Sequence, residues 1–237
     1  MAVLWSIREE FSEHSLAPYT YNISNTTDLR NELKNTPTIP HYGLASLDIA
    51  NFYTNIPVTE TRDIICNTLQ QLQLDPQTRR ELLGCCDVIT QQNYFTRNGE
   101  ILIQKEGFAM GAPTTGLLAE FFLQHLEQLQ IPHLYDKHKI IKYFKYVDDI
   151  LIIYDTSHSD VQNTLKDFKT TQPKLKFTAE CEENNQINFL DITFNRIYTE
   201  WRIAVYRKPT CTDTIIPYNS NHPTKTNMPL YNSCTTG

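Results

Sequence analysis

The order of apolar patterns along this chain predicts an α+β fold: an antiparallel sheet with helices packed on one face, on the ferredoxin-like βαββαβ plan. Three observations predict it. Strand-length apolar runs alternate with helix-period segments in the order strand, two helices, hairpin, helix, strand–turn–strand, helix, strands. Two of the apolar strands end on acids, Asp48 and the pair Asp148-Asp149. Asn98-Gly99 lies between two apolar runs, and both residues tolerate the positive φ of a tight hairpin turn.

Taken in order, residues 1–40 are polar and weakly periodic, with an Asn/Ser/Thr-rich stretch from Asn22 to Thr27 and a short turn between Pro37 and Pro40. They read as a partial helix plus a linker. Leu44-Ala-Ser-Leu-Asp-Ile-Ala is a buried strand with its acid near the end. After Pro57, Thr59 opens a helix with Ile64, Ile65, Leu69 and Leu72 at helical spacing. A second helix runs from about Pro76 to Thr90, with Leu82, Leu83, Val88 and Ile89 as its buried side. The Asn98-Gly99 hairpin follows. Thr114 through Leu129 is a helix with Leu118, Phe121, Phe122, His125, Leu126 and Leu129 on or near one face. Ile140 to Tyr154 reads as two strands joined at Asp148-Asp149, and Val161 to Lys169 as a short helix. Leu175–Glu180, Ile187–Phe194 and Trp201–Tyr206 are three more strands. After Pro209 the chain is turn-rich and patternless.

The 237 residues suffice for one sizeable core or two small ones. With 40% hydrophobic and 11% aromatic residues, disorder throughout is excluded. No apolar run reaches membrane-spanning length and the start is not a secretory signal, so nucleus or cytoplasm is expected. The sequons at Asn22 and Asn25 are then chance matches. The six cysteines include no C-x-x-C pair and are expected as reduced thiols rather than zinc ligands. A formal net charge of -6 argues against nucleic-acid binding as a global property, so any such function rests on local features.

The acids are those features. An ionised carboxylate at the end of an apolar strand is costly unless paired or metal-bound. Three acids converging from neighbouring strands repel one another, and a divalent cation resolves the repulsion. Hard oxygen donors suit Mg²⁺, which keeps positions open for water and substrate phosphates; Mn²⁺ is the alternative. Two such ions clamp the attacking and leaving oxygens of a phosphoryl transfer. The bland readings are a solvated turn for Asp148-Asp149 and a turn-capping residue for Asp48.

The blocks around these acids carry a resemblance. Ser46-Leu-Asp-Ile-Ala-Asn-Phe-Tyr-Thr-Asn-Ile-Pro57 resembles motif A of Penelope-like retroelement reverse transcriptases. Gly107-Phe-Ala-Met-Gly-Ala-Pro-Thr-Thr115 resembles motif B and Lys145-Tyr-Val-Asp-Asp149 motif C. Lys176–Glu180 and Asn188–Thr193 are similar to motif D and the strand behind it, and Val205-Tyr-Arg-Lys-Pro-Thr-Cys-Thr-Asp213 to a VYRKPTxTD segment. Telomerase reverse transcriptase is the related family. The resemblance implies a reverse-transcriptase palm acting on an RNA template, a DNA primer and dNTPs with two Mg²⁺ ions. Asp48, Asp148 and the Ile49 carbonyl would be metal ligands, with Asp149 the third acid. Tyr53 would be the steric gate against ribonucleotides. Phe52, Gly107, Met110, Gly111, Ala112 and Pro113 would line the substrate site, with the glycines permitting close backbone approach. Phe189 and Leu190 would support the primer, and Lys174 or Lys176 would serve as the motif D lysine.

Three divisions are expected: 1–40 as an N-terminal helix and linker left from the fingers side, 41–206 as the palm, and 207–237 as the start of a truncated thumb connection. Nothing in 1–40 matches the basic, proline-rich fingers segment of the family, and the GIY-YIG endonuclease of many members is absent. A truncated copy with little activity of its own is the expectation. The competing class is a catalytically silent, domesticated palm serving as a nucleic-acid or protein interaction module; primer extension discriminates the two.

Overall fold

The structure is a computed structural model that describes residues 21–91, 93–112, 114–197 and 200–209. Its centre is a four-stranded antiparallel sheet made of β1 (Tyr42–Ala50), β4 (Ile140–Tyr146), β5 (Asp149–Asp155) and β6 (Lys176–Cys181), in the order β4-β5-β1-β6. With α5 (Thr115–His138) between β1 and β4, and α6 (Val161–Thr171) between β5 and β6, this is the βαββαβ order expected from the sequence.

Alternation along the strands separates two cores. Ala45, Leu47 and Ile49 of β1 and Ile150, Ile152 and Tyr154 of β5 face the larger one. There they meet α3 (Val58–Gln71), α4 (Pro76–Gln91), α5 and α6. Leu44, Phe144, Leu151 and Ile153 face the other way. That side is closed by Leu29 and Leu33 of α1 (Thr26–Lys34) and by a second sheet of β7 (Gln186–Phe189), β8 (Ile192–Ile197) and β9 (Glu200–Val205). Arg196 fastens this sheet to β1, donating to the Tyr42 carbonyl and to Glu182, while the Trp201 indole N–H donates to the Thr36 carbonyl at 3.0 Å.

Four expectations need correction. The Asn22–Thr27 stretch is not simply loop: Asn25 is the N-cap of α1, accepting the Asp28 N–H at 3.0 Å. In α4 the buried residues are Leu82, Cys86 and Thr90, whereas Val88 is 51% exposed, because the helix turns a narrower face inward than its apolar content suggests. Helix α5 does not end at Leu129, which is exposed; it continues through Pro132 because Ile131, Leu134 and His138 are buried. That burial offsets a proline penalty of about 3 kcal/mol. The run Ile187–Phe194 is two strands, since Leu190 takes a left-handed φ of 55° and reverses the chain at Leu190-Asp191. The hairpin of β2 (Tyr94–Arg97) and β3 (Glu100–Ile103) forms as expected, with Asn98 and Gly99 both at positive φ, but it stands exposed on both faces. Among the described residues no helix is long and apolar enough to cross a membrane.

Candidate active site

Sheet register builds the acid cluster. Asp48 of β1 is the cross-strand partner of Asp149 of β5, so both side chains leave the same face at the same end of the sheet. Asp148 is next to Asp149 in the β4–β5 turn, whose central residues are Val147 and Asp148. The expected junction at Asp148-Asp149 is thus displaced by one residue, and Asp149 opens β5. Burial and then the neighbouring Asp48 push the Asp148 carboxyl up. Burial, Asp148 and Asp48, in that order, do the same to Asp149, against an opposing pull from Lys208. Three like charges are therefore held within electrostatic reach of one another. Among the described residues no group of three or more His, Cys, Asp or Glu is already gathered around a metal position. The donor set still fits a hard cation, being all carboxylate oxygen with mutual repulsion to relieve.

The turn carrying Asp148 is strained. Val147 has φ 58°, a left-handed conformation that β-branched residues avoid. Nothing in the sequence reading anticipated it.

Behind Asp48 comes α2 (Phe52–Asn55), a single turn entered through Asn51 at φ 52°. Phe52 is 3% exposed and packs in the larger core, so its side chain does not line the site. Tyr53 is half-buried, and its phenol is pushed up by burial, then by Asp148 and Glu120, which places it in the field of the acid cluster. Ile49 pairs with Phe177 of β6 and buries its side chain on the helix side.

The loop before α5 docks directly on α2. The Phe108 N–H donates to the Tyr53 carbonyl at 2.7 Å, and Asn93 donates to the Gly107 carbonyl at 2.6 Å. Gly107 has φ +71°, and a Cβ there would lie 2.2 Å from the Thr54 carbonyl oxygen. Only glycine fits that approach. Gly111 has φ +86° with open space around it; Met110 beside it is exposed and Ala112 half-buried. Pro113 lies outside the described residues, as does the segment beyond Pro209. Lys174 lines a cleft of about 180 Å³ with Lys105, Gly107 and Asn55, whereas Lys176 is exposed at the start of β6. Phe189 is buried in the smaller core, while Leu190 borders a cavity that opens on Asp149.

A buried ion cluster was missed by sequence reasoning. The Lys145 side chain is fully buried, with its ammonium 3.0 Å from both Glu120 and Glu127 of α5. The Tyr143 hydroxyl donates to Glu127 at 3.0 Å and Asn22 donates to Glu120 at 2.5 Å. Burial alone would raise Glu120, but Lys145 and the hydrogen bonds hold it low; burial prevails at Glu127 and holds it high. The only sequence signal was a pair of lysines, Lys142 and Lys145, inside an otherwise apolar and aromatic strand.

This sheet order, with paired acids at the β1 and β5 ends, is the palm architecture of nucleic-acid polymerases. The structure resembles telomerase from Candida albicans in complex with a fragment of telomeric RNA (TM-score 0.67, 12% identity, 86% of this chain and 39% of that one). It also resembles apo telomerase from Candida tropicalis (0.64, 11%, 85% and 40%) and the RNA-dependent RNA polymerase of a human picobirnavirus (0.54, 14%, 83% and 37%). The chain thus spans about two fifths of each. No curated protein sequence matches it. Over residues 5–183 it matches the reverse transcriptase (RNA-dependent DNA polymerase) family, and it belongs to that family.

Proposed function

We propose that this chain is the palm-centred part of a Penelope-like retroelement reverse transcriptase, copying RNA into DNA from a primer and dNTPs. The observation that carries the reading is the register pairing Asp48 with Asp149 beside Asp148, with Tyr53 in the same electrostatic neighbourhood. The Penelope-like assignment is supported by the Ser46–Pro57 block and by the Val205–Pro209 segment that leaves β9.

Asp48, Asp148, Asp149 and the Ile49 carbonyl would hold two Mg²⁺ ions. Bound there, the ions would lower the pKa of a primer 3′-hydroxyl and neutralise charge on the departing pyrophosphate. The protein's own contribution is placement. Tyr53 occupies the position at which an aromatic ring excludes a ribose 2′-hydroxyl. The loop Gly107–Ala112, fixed to α2 by Phe108, would support the template and the incoming base.

The test is primer extension on an RNA template with the purified chain, dNTPs and Mg²⁺, with Asp148→Ala as control. The expected result is slow extension that Asp148→Ala abolishes, slow because a net charge of -6 gives little general grip on phosphate. Extension equal in the two proteins, or none in either, overturns the reading and leaves a silent interaction module.

A further inference from the structure

We infer that Lys145 is a positioning residue for nucleotidyl transfer: it braces the arm of the β4–β5 turn that leads into Asp148, tying that arm to α5 and to the segment 21–23. The inference rests on the polymerase reading above and adds to it a group that touches neither substrate nor metal.

The two arms of the turn are held unequally. Asp149 and Ile150 lie in β5, which has β4 on one side and β1 on the other, and they pair with Asp48 and Leu47 of β1. Strand β4 is outermost in the four-stranded sheet, so the arm bearing Lys145 and Tyr146 has only β5 beside it there. Between the arms stands Val147 at φ 58°, a conformation that a β-branched residue leaves unless its neighbours hold it. An unsupported outer arm would let the turn relax, and Asp148, the next residue, would move with it.

Lys145 is held through its backbone and through its side chain. Across the ladder it faces Ile150, next to the pair Tyr146 and Asp149 that flanks the turn. Antiparallel pairs alternately exchange their hydrogen bonds and aim them outward. On the outer edge both backbone groups of Lys145 are used: its N–H donates to the Tyr21 carbonyl at 2.8 Å, and its carbonyl accepts the Ile23 N–H at 2.9 Å. Its ammonium reaches α5, 3.0 Å from Glu120 and 3.0 Å from Glu127. The same two carboxylates accept from the flanking elements, Glu120 from Asn22 at 2.5 Å and Glu127 from the Tyr143 hydroxyl at 3.0 Å. The Tyr21 ring packs on Tyr143 and Tyr135, with centroids 5.1 and 6.2 Å apart. Segment, strand and helix thus close into one network around a residue just upstream of the catalytic turn.

Stability alone does not account for a lysine at this place. Its side chain is fully buried. Removing water from an ammonium and two carboxylates costs so much that apolar side chains of similar volume often fill such a space as well or better. What the ion cluster adds is direction, through charge-assisted hydrogen bonds that fix three elements at set distances. Ile150, the cross-strand partner of Lys145, faces the larger core, and Asp149 beside it projects from the opposite face. The brace therefore acts through the backbone of the turn and not on the substrate.

The experiment follows backbone exchange and catalysis together in the full chain. The main variant, Lys145→Met with Glu120→Gln and Glu127→Gln, removes every charge of the cluster and strands no carboxylate. Its melting temperature is expected to equal or exceed that of wild type. Hydrogen–deuterium exchange at residues 146–150 should quicken about tenfold while β1 keeps its wild-type rate. The kcat for single-nucleotide incorporation should fall about 10–100-fold, and the Mg²⁺ concentration for half-maximal rate should rise roughly three- to tenfold. Tyr143→Phe and Asn22→Ala each remove one hydrogen bond and should move the same readings the same way, by roughly two- to fivefold. Lys142→Met, at a part-exposed lysine of the same strand, should move none of them.

Wild-type exchange and rate in the main variant overturn the brace, and Asp148-dependent extension in that protein leaves the polymerase reading standing without it. A lower melting temperature with faster exchange along the whole chain and an unchanged Mg²⁺ requirement also overturns it, because the cluster would then serve stability alone. If the main variant does not fold, Tyr143→Phe and Asn22→Ala decide by the same readings. Absence of Asp148-dependent incorporation in wild type overturns the polymerase reading and the brace with it.

Discussion

Two of the hairpins with two-residue turns, β2–β3 and β4–β5, are held by different means. In β2–β3 the turn is Asn98-Gly99, both residues suit positive φ, and the strands around it are exposed. In β4–β5 the turn is Val147-Asp148, a poor choice for that backbone, yet Ile150, Leu151, Ile152 and Ile153 behind it are all essentially inaccessible to solvent. The first hairpin is specified locally by turn chemistry. The second is specified by burial on both sheet faces, which forces a valine into a left-handed turn. Strain of this kind persists only where the surroundings over-determine it, and it sits one residue from the acid cluster.

The contrast breaks most visibly in activity. Asp148→Ala in the strained turn is expected to remove extension completely, while Gly99→Ala in the relaxed one should leave the rate within about twofold, its cost confined to a φ that alanine tolerates poorly. Single-nucleotide incorporation measures both. A matching loss in Gly99→Ala would mean that the exposed hairpin belongs to the active site. Tyr53→Ala, assayed in the same way, should admit ribonucleotides more readily; unchanged sugar discrimination would place the gate elsewhere.

Stability should divide the two hairpins next. Leu151→Ala is expected to cost about 2–5 kcal/mol, as a fully buried leucine. Ile101→Ala, at a residue 74% exposed, should stay within about 0.5 kcal/mol. Urea unfolding measures both, and equal losses would show that the β2–β3 face is covered in solution.

A smaller effect concerns charge. The Asp148 and Asp149 carboxyls are both raised, so around their titration the folded chain holds protons that the unfolded chain has released. Their contribution therefore favours folding least above the raised values and improves as pH falls through them. Asp149→Asn should gain melting temperature relative to wild type as pH rises from 4 to 8. Mg²⁺ should narrow that gap at neutral pH by stabilising wild type alone. A relief on the order of 1 kcal/mol corresponds to about 2–4 °C in a chain of this size. A pH-independent difference would mean that the acids do not sense one another.

Smallest is the turn swap. Val147→Gly should raise stability by up to about 1 kcal/mol by removing the left-handed valine, and Asn98→Val should lower it by a similar amount. Thermal melts decide, and two changes of the same sign would refute the contrast.

These differences also explain what the sequence disclosed. Strong periodicity placed β1, α3, β4, β5 and α6 nearly to the residue, and the acids stood out because apolar strands rarely end that way. Asn98-Gly99 was legible because its turn chemistry is local. Features that depend on partners distant in the chain were not legible. Lys145 becomes intelligible only once α5 lays Glu120 and Glu127 against β4, and α5 passes Pro132 only because a core waits for Ile131 and Leu134. Phe52 misled because it is buried in the larger core, while Tyr53, whose ring lies beside it at 5.1 Å, stays half-buried in the field of the acids.

The central position of β1 has a consequence for synthesis. Its two sheet neighbours, β5 and β6, are encoded roughly a hundred residues or more downstream, so the strand bearing Asp48 leaves the ribosome long before either edge can be satisfied. At about 5–20 residues per second, that wait lasts about 5–20 s or longer. Throughout it, a short apolar strand offers two open backbone edges. Chaperone dependence, and insoluble product when translation outpaces it, should trace to this one segment.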